Sequence, residues 1–98
     1  MTTDVAALRL NVRIDEGRGP VVVLLHGINS TADDMRPLVE LLRSDHRVIA
    51  PDLLGFGASP KPLDIDYTTD EHVAVLAATL ADLDLPGRFL LLGYSLGG

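Results

Sequence analysis

A serine flanked by glycines near the end of the chain is the residue best suited to chemistry. Gly93-Tyr94-Ser95-Leu96-Gly97 matches the G-x-S-x-G pattern, in which a sharp turn between a strand and a helix presents a nucleophilic serine. A serine at so tight a turn occupies sparsely allowed backbone space, and the glycines let the strand and helix backbones approach each other. The pattern predicts Ser95 as a nucleophile. The competing interpretation is a strand that ends in a glycine turn with an incidental serine.

The segments in front of Ser95 carry the patterns of several strands. Residues 8–14 alternate apolar and polar side chains, which predicts an edge strand with one solvated face. Val21–Leu25 is wholly apolar, as in a parallel strand buried on both faces. Residues 48–50 and 89–92 give two more short apolar strands, and the last of these leads directly into the serine turn.

Two amphipathic helices separate these strands. The first is predicted to be capped by Asp33 or Asp34 and to end near Ser44. With Asp34 as the cap, Pro37 is the third helical residue, where its missing N–H has no intrahelical acceptor. Its apolar face contains Met35, Leu38, Val39 and Leu42.

The second helix begins with a capping box in which Thr68 caps the helix and Glu71 reaches back. It carries an apolar side up to Leu83 and ends in the turn at residues 84–87. The order of elements is therefore strand, strand, helix, strand, loop, helix, strand. Crossover helices between buried strands predict an α/β fold with a mostly parallel sheet.

Composition excludes several classes of function. The net charge of −6 and the absence of a basic patch argue against binding to nucleic acid or to an anionic membrane. The absence of cysteine excludes disulfides, thiol catalysis and cysteine-bound metals. The first residues show neither a signal peptide nor a membrane span, so we expect a cytoplasmic protein.

Three stretches together resemble a known family. They are His26-Gly27 after a buried strand, DLLGFGAS at residues 52–59 and GYSLGG at residues 93–98. The chain resembles the N-terminal part of an α/β-hydrolase fold protein, and residues 1–98 would form the N-terminal portion of one such domain. That family includes esterases, lipases, lactonases, thioesterases and carbon–carbon bond hydrolases.

The resemblance implies a serine hydrolase that needs no cofactor and acts on a small acyl substrate. Ser95 would attack an ester, thioester or lactone and form an acyl-enzyme, and an acyltransferase using the same serine is a variant of this hypothesis. The backbone N–H groups of Ile28 and Leu96 would form the oxyanion hole. Family members with aspartate in place of the serine are dehalogenases or epoxide hydrolases. The serine at position 95 therefore argues against both of these activities.

The family's catalytic triad runs in the order serine, acid, histidine, whereas this sequence stops three residues after Ser95. We therefore expect the 98-residue chain to be a fragment with little or no hydrolase activity alone. Strand 89–92 would also be left with an apolar free edge, which invites aggregation or self-association. The alternative function is that of a non-catalytic short protein or relic that acts, if at all, by binding a partner.

The histidines and Asp52 are weaker candidates for catalysis. The resemblance gives His26 a role in bracing a loop, with a role as catalytic base as the alternative. His46 and His72 are interpreted as solvated side chains. Asp52 is interpreted as a turn-forming residue that binds nearby backbone N–H groups, with a triad acid as the alternative.

Other ligand sites are not supported by the sequence. Residues 55–60 contain the first two glycines of a dinucleotide-binding fingerprint, but Pro60 stands where the third would be. GYSLGG lacks the lysine of a phosphate-binding loop. The paired acids of the chain lack the spacing of a metal site, so we expect neither a cofactor nor a metal.

Overall fold

The computed structural model describes residues 2–94, and Met1 and residues 95–98 lie outside the described part. The described chain forms one four-stranded sheet in the order β1-β3-β2-β4. The strands are β1 (Val12–Glu16), β2 (Val21–Leu25), β3 (Arg47–Pro51) and β4 (Leu90–Gly93). β2 runs parallel to both β3 and β4, and β1 runs antiparallel to β3.

The described chain also contains two α-helices and two 3₁₀ helices. The α-helices are α1 (Arg36–Leu42) and α2 (Thr69–Asp82), and the 3₁₀ helices are Val5–Ala7 and Ala32–Met35. This arrangement confirms the predicted α/β class with a mostly parallel sheet. None of the helices between residues 2 and 94 is long and apolar enough to cross a membrane.

The sheet carries a core on each face because successive side chains of a strand point to opposite sides. On one face Val23 and Ile49 pack with Val75 of α2. On the other face Leu24 and Val48 pack with Val39 of α1. All five residues of β2 are buried, as predicted for a parallel strand covered on both sides.

The first strand begins later than predicted. Its position at the edge of the sheet is confirmed, but β1 starts at Val12 rather than at residue 8. The backbone N–H of Leu10 donates to the hydroxyl of Thr79, and that of Asn11 donates to the hydroxyl of Ser59. These N–H groups bind side chains instead of a neighbouring strand, and the alternating pattern could not indicate this.

The start of the first α-helix also differs from the prediction. Thr31 caps a 3₁₀ helix, and α1 begins only at Arg36, so neither Asp33 nor Asp34 caps the α-helix. Pro37 is the second helical residue rather than the third, where its missing N–H still has no intrahelical acceptor. The helix ends at Leu42, whose carbonyl accepts the N–H groups of residues 45 and 46.

The capping box of α2 is confirmed. The Thr68 hydroxyl accepts the N–H of Glu71 at 3.1 Å, and the Glu71 carboxylate accepts the N–H of Thr68 at 2.9 Å. This reciprocal pair satisfies two N–H groups that lack helical partners. It fixes the start of the helix that covers one face of the sheet.

Candidate active site

The candidate site lies where β2 and β4 end. The two strands are parallel neighbours in which Leu25 is paired with Gly93, and the N–H of Tyr94 donates to the carbonyl of Leu25 at 3.1 Å. Ile28 follows the end of β2 by three residues, and Ser95 follows the end of β4 by two. The loop that carries Ile28 and the chain that leads to Ser95 therefore leave the sheet from adjacent positions, at the C-terminal ends of the two strands.

Ser95 and Leu96, the predicted nucleophile and second oxyanion donor, lie outside the described residues. Their roles remain predictions. The structure does describe Ile28, which is 60% exposed. The next residue, Asn29, has a φ of +57°, a left-handed conformation that asparagine adopts more easily than most residues. The backbone therefore turns sharply immediately after the predicted oxyanion donor.

A cavity of about 690 Å³ opens beside the C-terminal ends of β2 and β4. Its walls are mostly apolar and come from the loop after β2, from the start of α1 and from the end of β4. Its polar side chains include Ser30 and Asp34, and the Ser30 hydroxyl donates to the Asp34 carboxylate at 2.5 Å. That hydrogen bond and a second from the N–H of Thr31 lower the pKa of Asp34. The lining residues are Gly27, Ile28, Ser30, Asp34, Met35, Pro37, Leu38, Leu92, Gly93 and Tyr94.

A second, smaller cavity of about 310 Å³ shares Ile28 with the first. Its other walls are Leu54, Gly55, Phe56, Tyr67 and His72. This cavity was not predictable from the sequence, because its walls come from three segments that are distant in sequence. Tyr94 and the apolar face of the first helix could have been placed near the larger cavity, since one adjoins Ser95 and the other follows the loop that carries Ile28.

His26 is fully buried, and both of its ring nitrogens are engaged. Nε2 accepts the N–H of Leu53 at 2.8 Å, and Nδ1 lies 2.8 Å from the carbonyl oxygen of Gly27. A carbonyl only accepts hydrogen bonds and a backbone N–H only donates them, so Nδ1 is the donor and Nε2 the acceptor in this ring. This geometry agrees with the loop-bracing interpretation and leaves no ring nitrogen free to act as a base.

Asp52 is buried and accepts three hydrogen bonds through its carboxylate. The donors are the N–H of Ala32 at 2.9 Å, the N–H of Ala58 at 3.1 Å and the side-chain amide of Asn11 at 3.1 Å. Burial raises the pKa of this carboxyl, but the three hydrogen bonds outweigh it and hold the pKa below its usual value. The bond to Ala58 fits the turn-forming interpretation, and the bond to Ala32 reaches the first residue of the 3₁₀ helix Ala32–Met35.

His46 and His72 lie apart from the larger cavity. Nδ1 of His46 contacts the carboxylate of Asp45 at 2.8 Å. His72 lies in the first turn of α2, and the centre of its ring is 6.1 Å from that of Tyr67 in the preceding loop. Between residues 2 and 94, no group of three or more acidic, histidine or cysteine side chains is arranged to hold a metal ion.

Comparison with known proteins identifies the family. The sequence model described as "alpha/beta hydrolase fold" matches residues 20–98, which is most of the chain. The chain therefore belongs to the α/β-hydrolase fold family, and its described part is a partial form of that fold.

Individual relatives are hydrolases of several kinds. The chain is 39% identical over 85 residues to haloalkane dehalogenase 2 of Mycobacterium tuberculosis, an alignment that covers 87% of this chain and 29% of that protein. It is 35% identical over 88 residues to 2-hydroxy-6-oxo-6-(2'-aminophenyl)hexa-2,4-dienoic acid hydrolase of Metapseudomonas resinovorans, covering 87% of this chain and 30% of that one. The solved structure of epoxide hydrolase VrEH1 from Vigna radiata matches with a TM-score of 0.79 and 33% identity, covering 85% of this chain and 26% of that one. The chain thus spans less than a third of the length of these proteins.

Proposed function

We propose that this chain belongs to a serine hydrolase that cleaves a carboxylic ester, thioester or lactone through an acyl-enzyme at Ser95. The observation that carries the proposal is the adjacency of the ends of β2 and β4. It brings the loop of Ile28 beside the chain that leads to Ser95. A nucleophile and an oxyanion donor must face the same carbonyl group, and neighbouring parallel strands are a suitable origin for both.

Serine at the nucleophile position favours acyl chemistry over dehalogenation or epoxide opening. A carboxylate that displaces a halide or opens an epoxide forms an ester, which water can then hydrolyse. A serine hydroxyl in the same displacement would form an ether, which water does not cleave under the same conditions. Serine attack on a carbonyl instead gives an acyl-enzyme that water hydrolyses, so Ser95 supports an acyl substrate.

The proposed reaction proceeds in two steps. The Ser95 oxygen forms a bond to the carbonyl carbon while a histidine takes its proton, and the leaving group departs with that proton. Water then attacks the acyl carbon while the histidine takes its proton, the bond to the Ser95 oxygen breaks, and that proton passes to the serine as the acid leaves. The N–H groups of Ile28 and Leu96 would stabilise the oxyanion in both steps, and one such donor is typically worth about 10²–10³ in turnover.

The histidine and acid of the triad are proposed to lie in further sequence of a longer protein. His26 has both nitrogens engaged, His46 lines neither of the two cavities that contain Ile28, and His72 lines only the smaller one. The family order places the acid and the histidine after the serine, and the relatives are more than three times as long as the matched segment. On this proposal the 98-residue chain alone has little or no activity.

A panel of substrates tests the reaction class. The protein, isolated at its natural length, is assayed with a p-nitrophenyl ester, a thioester and a lactone, and in parallel with a bromoalkane and an epoxide. We expect hydrolysis of an acyl substrate that falls by at least about 10³-fold in Ser95→Ala. Halide release or diol formation that persists in Ser95→Ala would contradict the proposal.

A further inference from the structure

The loop that carries Ile28 is attached at both ends to the segment that follows β3. We call residues 27–31 the β2 exit loop and residues 52–59 the β3 exit loop. We propose that Asp52 is a positioning residue, which fixes the β2 exit loop so that the N–H of Ile28 is held where an oxyanion forms. The inference rests on the proposed function, because it concerns the oxyanion donor of that same site.

The two attachments stand on either side of Ile28. Immediately before the loop in sequence, Nε2 of His26 accepts the N–H of Leu53 at 2.8 Å. Immediately after the loop in sequence, the N–H of Ala32 donates to Oδ1 of Asp52 at 2.9 Å. All four groups are buried, so solvent does not compete for these bonds. The β2 exit loop is therefore fixed at its two ends by consecutive residues of the other loop.

Asp52 can serve as an anchor because its other carboxylate oxygen is itself held in place. Oδ2 accepts hydrogen bonds from Asn11 and from the N–H of Ala58, both at 3.1 Å. The close approach of the β3 exit loop depends on Gly57, which has a φ of +54° and where an added Cβ would lie 2.3 Å from Cγ of Asp52. The carboxylate is thus bound from three separate segments of the chain.

Asp52 does not act on the substrate directly. It lines neither of the two cavities that contain Ile28. Its carboxylate is turned toward Asn11, Ala32 and Ala58. A residue of this kind influences the reaction through the geometry of a donor, and a displacement of about 1 Å at a reacting group can lower turnover by about 10²-fold.

The test exchanges donor and acceptor groups at Asp52 while keeping its size. Asp52→Asn retains one oxygen for the N–H of Ala32 but turns an amide toward two other donors, those of Asn11 and Ala58. Adding Asn11→Asp restores one of these bonds, because the amide of residue 52 can then donate to the carboxylate of residue 11. Asp66→Asn, at an exposed position in the loop before α2, is the matched control.

Steady-state kinetics of the natural-length protein with an ester substrate separate positioning from folding. The assays are run at a temperature where circular dichroism shows every variant folded. We expect kcat to fall by about tenfold or more in Asp52→Asn, with KM changed less than about threefold, partial recovery in the double variant and no change in the control. An unchanged kcat in folded Asp52→Asn, or a kcat that falls only in step with the folded fraction, would overturn the proposal.

A second readout keeps this inference independent of the reaction. If the wild-type protein hydrolyses no acyl substrate, the proposed function fails while the role of Asp52 can still be measured by nuclear magnetic resonance. We then expect the amide resonances of both Ile28 and Ala32 to move in Asp52→Asn and to return part of the way in the double variant. A resonance of Ile28 that does not move while that of Ala32 does would reject the positioning role.

Discussion

β2 and β4 are neighbouring apolar strands of the same sheet, yet their surroundings are opposite. All five residues of β2 are buried, whereas all four residues of β4 are exposed. Leu24 and Leu92 are direct partners across the two strands, and their exposed fractions are 0% and 44%. β2 lies between two strands and under helices on both faces, while in the described chain β4 pairs with β2 alone.

This difference separates what holds the fold together from what positions the proposed site. The core of the described chain is formed around β2 and β3, and β4 adds little buried surface to it. The candidate site nevertheless needs the end of β4, since that strand leads to Ser95. The strand that contributes least to the described core is therefore the one that carries the proposed nucleophile.

The largest expected effect comes from the same substitution at the paired positions of the two strands. Leu24→Ala removes a fully buried side chain and should lower the free energy of unfolding by about 2–5 kcal/mol. Leu92→Ala removes a half-exposed side chain and should lower it by less than about 1 kcal/mol. Denaturant unfolding followed by circular dichroism measures both values. Equal losses at the two positions would break the distinction between a buried and an exposed strand.

Acid should destabilise the folded chain through the buried carboxylate of Asp52. The pKa of this carboxyl is below its usual value in the folded chain, so its contribution is present above about pH 4 and is lost as the pH falls through the folded pKa. Asp52→Asn should therefore reduce stability at pH 7 by about 1–3 kcal/mol, and the difference from wild type should shrink toward pH 2.

Asp15 provides the comparison for this acid effect. Its hydrogen bonds with the guanidinium of Arg47 lower its pKa, but the pair is partly exposed at the edge strand β1. Asp15→Asn should change stability by no more than about 1 kcal/mol at pH 7. Urea unfolding at a series of pH values tests both variants. If the difference in unfolding free energy between wild type and Asp52→Asn stays constant from pH 7 to pH 2, the charge of Asp52 is not the cause of the lost stability.

The smallest effect on stability, but a clear effect on association, is expected from a charge on β4. Leu91 is 51% exposed and lies in an apolar strand whose outer edge has no strand partner among residues 2–94. We expect the 98-residue chain to self-associate through this edge, and Leu91→Asp should shift it toward the monomer. Sedimentation velocity measures the shift. Leu63→Asp, at a fully exposed position outside the sheet, is the control and should leave association unchanged.

Much of the fold was predictable because it depends on local pattern. The apolar run Val21–Leu25 and the capping box at Thr68 each indicate one structure, and the structure confirms both. The predictions failed where side chains replace backbone partners, as at Leu10, whose N–H donates to Thr79. They failed also before α1, where a 3₁₀ helix comes between the predicted cap and the α-helix.

The site was predictable only in part. The G-x-S-x-G motif predicted Ser95 and the family resemblance implied Ile28, but neither shows which segments enclose these residues. The link between Asp52 and Ala32 joins residues twenty positions apart, and the smaller cavity brings Ile28 together with Tyr67. Such contacts follow from how the loops pack over the sheet edge, and no periodic pattern in the sequence records them.

The measurement that most directly tests the central claim is covalent labelling of Ser95. The protein is isolated from its natural source, its intact mass is recorded, and it is treated with a fluorophosphonate before peptide mapping by mass spectrometry. We predict one adduct per chain, located on Ser95 and absent from Ser95→Ala. A folded protein that hydrolyses its acyl substrate yet carries no adduct on Ser95, or carries it on another residue, would contradict the account.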